Sequence, residues 1–181
     1  MLLYLDIIPA SIRELFRTKL LSIAEVLGMH PNWLMQVMKS ESSLNPRALN
    51  PYSSAAGLLQ WMPSTLRAYN VTTSQILAMG HLQQLDYVLK YFLPKKGKIN
   101  SYYDTYAYVF FPAIIGKADD WILHTSTLPA SVIASQNPVI NINKDGKITV
   151  AEFKAYVFRS VGSAAAYVFV SATEFFKKKI Q

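Results

Sequence analysis

The 181-residue chain has no cysteine, which excludes disulfides and thiolate metal sites but does not by itself fix a compartment. Charge is scarce: 16% of residues are charged against 51% hydrophobic, a balance that excludes a disordered chain and leaves a globular one with a real core. Acidic residues are scarcest, 11 against 18 basic ones, so the net charge is +7 and anionic partners are favoured. Nucleic acid is not expected among them, because no helix-turn-helix, zinc-finger or RNA-binding signature is present. A secretory signal is also missing: Met1–Pro9 is apolar, but Asp6 interrupts it and no basic segment precedes it. Ser160–Thr173 carries no charge, yet it falls short of the roughly 20 residues a membrane span needs. His30, His81 and His124 are isolated from one another, which makes them structural or surface residues rather than a ligand set.

The most informative stretch is Leu34–Met62. Leu34, Val37, Met38 and Glu41 fall at i, i+3, i+4 and i+7 and so share one face of a helix beginning at Pro31. A glutamate that continues an apolar stripe faces the protein interior, where burial disfavours its charged form. Ser42, Ser43, Asn45 and Pro46 break the helix just beyond it. The negative end of the helix dipole therefore pushes the carboxyl in the same direction. A carboxylic acid that keeps its proton near neutral pH is suited to general acid catalysis.

The segment from Glu41 to Thr65 resembles the signature of soluble lytic transglycosylases, a family of the lysozyme-like superfamily. The pattern runs through Glu41-Ser42, Asn45-Pro46, the small-residue turn Ser53–Gly57, Leu58-Leu59-Gln60 and Met62-Pro63-Ser64-Thr65, with Leu59 where the family has methionine. The resemblance implies that Glu41 is the catalytic acid/base, that Ser42 belongs to the site, and that Gln60 and Met62 line a saccharide groove. Asn50 stands where the family often places a sugar-contacting serine, although this chain has one extra residue between Glu41 and Gln60. Thr72–Gln75, Gln84–Val88 and Tyr91–Pro94 resemble the middle of a phage-associated branch of the family.

The rest of the chain reads as helices around this centre. Ile8–Leu27 has helical spacing with Gly28 at its end, and His81–Phe92 carries the stripe Leu82, Leu85, Val88, Leu89 and Phe92 before Pro94 stops it. Asn100–Gly116 is dense in aromatics at the point where many transglycosylases have Ala-Tyr-Asn-Ala-Gly; the Asn and Gly are missing here. Such rings stack on pyranose faces, and Tyr106, then Tyr108, are the tyrosines expected to reach Glu41. Asp104, Asp119 and Asp120 are the carboxylates to consider if a second catalytic acid exists.

Asn141–Glu152 matches the EF-hand calcium loop at nearly every position. Asn141, Asn143 and Asp145 supply side-chain oxygens, Gly146 the turn, Lys147 a carbonyl and Glu152 a bidentate carboxylate. Asparagine in the first position lowers the charge and hence the affinity for a structural Ca2+. The terminal stretch, closing on Lys177–Lys179, suits a packed helix or a membrane-surface contact.

The expected fold is mainly α, of the α+β lysozyme-like kind. It is a helical domain over residues 1–130 with a small irregular β region, then an EF-hand-like loop plus helix over 131–181. The activity implied by the resemblance is lytic cleavage of peptidoglycan at the β-1,4 bond between N-acetylmuramic acid and N-acetylglucosamine. The setting is a virion or the bacterial envelope, with virion proteins or a membrane surface as further partners. The alternatives are a hydrolysing muramidase with a second carboxylate and a non-catalytic virion or wall-binding protein.

Overall fold

Apolar residues at helical spacing wrap the first hundred residues around a single buried helix. The computed structural model describes residues 1–169, which divide into two units, residues 1–100 and 101–169.

In the first unit, α1 (Arg13–Leu27) turns Phe16, Leu20, Ile23, Ala24 and Leu27 inward. It ends at Gly28, whose φ of 69° lets its N–H reach the carbonyls of Ala24 and Glu25. Helix α2 (Pro31–Ser42) starts with proline at its first turn, and the His30 ring accepts the Asn32 N–H through Nδ1 at 3.1 Å. Every residue from Pro31 to Met38 is buried, so α2 is the core and not a half-exposed helix. Its polar members are satisfied by the N-terminal segment: Asn32 bonds the backbone of Met1 and Leu3, and Gln36 Oε1 accepts from the Tyr4 hydroxyl. Short helices α3 (Pro63–Ala68) and α4 (Thr73–Ala78) come next, the latter closed by a Thr72–Gln75 capping box. Helix α5 (His81–Phe92) then packs on α1, burying Gln84, Leu85, Val88 and Phe92.

In the second unit, α6 (Tyr102–Phe110) packs on α8 (Val150–Val161), with α7 (Ala130–Gln136) between them in sequence. Phe153 of α8 lies at the centre of an aromatic cluster, stacked on Phe110 at 5.6 Å and tilted against Tyr106 at 6.0 Å.

Two parts of the expected fold are corrected. No β-strand exists among the described residues, so the α+β assignment with a small β region falls. Where that region was expected there are only isolated pairings, Leu49 with Ala56 and Ala56 with Trp61. Each is a single bridge with no neighbouring pair beside it, so no ladder forms. The EF-hand-like unit is likewise not upheld. Asn137 and Pro138 stop α7 at Gln136, and turns fill residues 138–140, so no helix enters the loop directly.

After α8, Gly162 (φ 53°) breaks the helix, a short 3-10 turn comes next, and α9 covers Ala165–Val168. No described helix is long and apolar enough to cross a membrane. Lys177–Lys179 and the end of the terminal stretch lie outside the described residues.

Leu20 is fully buried where α1 meets the rest of the first unit. Leu20→Ala should cost about 2–5 kcal/mol of unfolding free energy, read by urea denaturation. A loss below about 1 kcal/mol would contradict the packing described.

Candidate active site

Glu41 occupies the last turn of α2, one residue before its end. The helix terminates because Ser43 and Leu44 both adopt left-handed backbone, with φ of 55° and 62°. The Ser43 N–H reaches Lys39 O at 3.0 Å and the Leu44 N–H reaches Met38 O at 3.2 Å, which closes the last turn. Glu41 is half-buried. No hydrogen bond or ion pair to its carboxyl exists among the described residues. Burial pushes its pKa up to about 7, and no neighbouring charge contributes to the shift. The carboxyl is thus poised to hold or release a proton near neutrality.

Ser42 does not face outward beside it. Its side chain is buried, and the hydroxyl lies 3.0 Å from the carbonyls of both Met38 and Leu58. It joins the end of α2 to the segment Pro46–Met62. Gln60 braces the same segment from within: its Nε2 donates to Ala48 O and Gly57 O, both at 3.1 Å, from a backbone with φ of 48°. Asn50 turns its amide oxygen onto its own loop, accepting the N–H groups of Tyr52 and Ser53 at 2.9 and 3.1 Å. That turn leaves Tyr52 almost fully exposed, and Met62 is 46% exposed at the start of α3.

Two residues of α5 brace this neighbourhood: His81, read from the sequence as structural or surface, and Gln84, quoted there only for its resemblance to the phage-associated branch. His81 Nε2 lies 3.0 Å from Leu44 O, and Gln84 bonds Leu58 N, Pro46 O and Ile76 O. The signal for Gln84 was present: it stands four and eight residues before Val88 and Phe92, on the buried face.

The family comparison supplies the next observation. Residues 22–85 match the transglycosylase SLT domain. The match runs from within α1 to Leu85 of α5 and takes in α2, Glu41 and the Pro46–Met62 segment, less than half of the chain. No curated protein and no solved structure matches.

In the second unit, Tyr106 is buried in the Phe110–Phe153 cluster. Tyr108 is half-buried, and burial raises its phenol above the usual range. Asp104 accepts from the Ser101 hydroxyl at 2.9 Å in the first turn of α6, where the helix dipole favours a carboxylate. Asp119 pairs with Lys154, and Asp120 is exposed.

The loop leading to α8 is held by its own side chains. Asn143 Oδ1 accepts Asp145 N at 3.0 Å, and Asp145 Oδ1 accepts Lys147 N at 2.9 Å. Glu152 Oε1 reaches back to the N–H groups of Ile142 and Asn143, while Oε2 takes the N–H and hydroxyl of Thr149. Asn141 Oδ1 is buried and has no hydrogen-bond partner among the described residues. No group of three or more His, Cys, Asp or Glu gathers among the described residues. Any cation held here would therefore rely on amide and carbonyl oxygens plus two carboxylates.

The raised Glu41 carboxyl links stability to pH. Its folded-state value of about 7 lies above the ordinary 4.5, so the unfolded chain ionises first as pH rises. The favourable contribution is whole below about pH 4.5 and is lost as pH rises through 7. Glu41→Gln removes the ionisation, so its melting temperature relative to wild type should climb between pH 5 and pH 8. A difference independent of pH would show that the carboxyl titrates normally.

Proposed function

We propose that the chain is a peptidoglycan lytic transglycosylase with Glu41 as its general acid and base. The match of residues 22–85 supports transglycosylase-type, glycosidase-like activity on peptidoglycan at the family level. The observation that carries the residue assignment is the Glu41 carboxyl itself: half-buried, raised to about 7, and free of any cation that would force its ionisation.

In this reading the protonated Glu41 donates to the glycosidic oxygen between N-acetylmuramic acid and N-acetylglucosamine. The C1–O bond breaks through an oxocarbenium-like transition state. The carboxylate so formed then takes the proton from the muramyl 6-hydroxyl as that oxygen bonds C1. A 1,6-anhydro end results, and Glu41 is protonated again. Water attack would call for a second carboxylate to activate it. Within residues 1–100, Glu14 pairs with Arg17 and Asp86 with Lys19, while Asp6 and Glu25 are exposed. Asp104 and Asp119 are likewise held by Ser101 and Lys154. These pairings favour the transglycosylase over the hydrolysing muramidase. Exposed Met62 and the Tyr52 loop are the surfaces we assign to the glycan. The resemblance of Gln84–Val88 and Tyr91–Pro94 to the phage branch supports a role on a phage's way into or out of its host.

Purified cell walls should clear under the wild-type protein. Glu41→Gln should slow the rate about 10²–10⁴-fold, the usual worth of a general acid. The rate should also fall above about pH 7, as the donor ionises. Mass spectrometry should find anhydro-muramyl ends; reducing ends would contradict the proposed mechanism.

A second proposal concerns the Asn141–Glu152 loop. The buried, unpartnered Asn141 Oδ1 fits a cation ligand, and Asn143, Asp145, the Lys147 carbonyl and Glu152 are the other donors. A calcium ion there would supply structural cohesion to the start of α8 and no catalytic step. Calorimetric titration with calcium should show binding that Asn141→Asp tightens and Glu152→Gln weakens. No heat and no rise in melting temperature at millimolar calcium would refute it.

A further inference from the structure

Gln84 is fully buried on α5, among Leu85, Val88 and Phe92. A primary amide placed there is costly to desolvate unless its groups are bonded. Its Oε1 accepts the Leu58 N–H at 2.8 Å. Its Nε2 donates to Pro46 O at 2.7 Å and Ile76 O at 2.8 Å, with Met79 O at 3.3 Å sharing a proton. Three separate pieces of chain therefore meet on one side chain: the start of the Pro46–Met62 segment, its middle, and the end of α4. Gly57 makes the approach feasible. A Cβ at that position would stand 2.7 Å from Gln84 Oε1.

The connection continues toward Glu41. The N–H of Leu58 is held by Gln84, and the carbonyl of Leu58 lies 3.0 Å from the Ser42 hydroxyl. One turn earlier on α5, His81 Nε2 meets the carbonyl of Leu44, just past the end of α2. The same helix thus grips both the turn after Glu41 and the segment to which Ser42 is bonded.

We propose that Gln84 is a positioning residue that fixes the Pro46–Leu58 segment against the last turn of α2 and so sets the surroundings of the Glu41 carboxyl. The proposal rests on Glu41 being the acid of the site. It assigns Gln84 a role through Leu58 and Ser42, with no contact to substrate. A buried glutamine serving only stability would leave chemistry unchanged below the melting temperature. A positioning glutamine would not, because small displacements of a catalytic group cost rate.

Three variants separate these cases. Gln84→Met keeps the volume and removes every bond. Gln84→Glu keeps the acceptor for Leu58 N–H and sets a carboxylate oxygen against the carbonyls of Pro46 and Ile76. Leu20→Ala is the control, destabilised at a buried apolar position that takes part in none of these hydrogen bonds. The first readout is ¹³C NMR titration of the Glu41 carboxyl, which does not depend on activity. In Gln84→Met it should move down by about one unit or more, as water gains access, while Leu20→Ala leaves it near the wild-type value. The second is wall-lysis kinetics. The Gln84 variants should lose about 10- to 100-fold in kcat with KM nearly unchanged, and Leu20→Ala should lose neither. A folded Gln84→Met variant with an unchanged Glu41 titration overturns the proposal, as does failure of both Gln84 variants to fold. A wild-type protein that does not cleave walls while the titration still shifts refutes the proposed function and leaves the positioning role standing.

Discussion

The structure of the first unit depends on burying one helix on all sides. With Pro31–Met38 enclosed, α2 has nowhere to expose polar groups except at its ends. The N-terminal end is satisfied by the His30 ring, whose own proton affinity is driven down to about pH 4 by burial, so that Nδ1 stays an acceptor. The C-terminal end is where the chain emerges, and there it carries Glu41. An apolar core helix thus delivers a carboxyl to the edge of the core, too enclosed to ionise easily and too near the edge to be inert. Local sequence, packing and proton chemistry meet at that one position.

Around it, most of the polar side chains bind backbone. Ser42, Gln60, Asn50, His81 and Gln84 all hold carbonyls or N–H groups of the irregular segment between α2 and α3 or of the turn before it. The segment has no strand to order it, so these bonds take the place of a ladder. Gln60 and Gly57 occupy left-handed backbone within it, and Gly57 does so where a side chain would strike Gln84. The signature residues that resemble a transglycosylase are therefore in large part the ones that hold the site's backbone in shape.

Much of this was legible in the sequence. The Leu34–Val37–Met38–Glu41 stripe announced a carboxyl on a buried face because helical periodicity is a local property. The order from Glu41 to Thr65 pointed to the same family that residues 22–85 match. Other features were hidden for physical reasons. The expected β region is reduced to isolated bridges of Ala56 with Leu49 and Trp61, and pairing of that kind has no sequence mark. Asn50 was expected to contact sugar, and its oxygen accepts from Tyr52 and Ser53, a loop role that the sequence did not show. Gln84 was read only as part of a family resemblance, because a lone polar residue in an apolar stripe reveals its bonding partners only in three dimensions. The short helix before the calcium-type loop ends at Gln136, ahead of Asn137-Pro138, a break that was legible in the sequence.

The central claim is that the Glu41 carboxyl retains its proton close to neutral pH in the native protein. Site-resolved ¹³C titration of that carboxyl in the wild-type chain tests it most directly. The account predicts a midpoint near 7. A midpoint near the ordinary 4.5 would mean that the carboxyl is solvated and ionised at neutrality, and would contradict its proposed role as the acid.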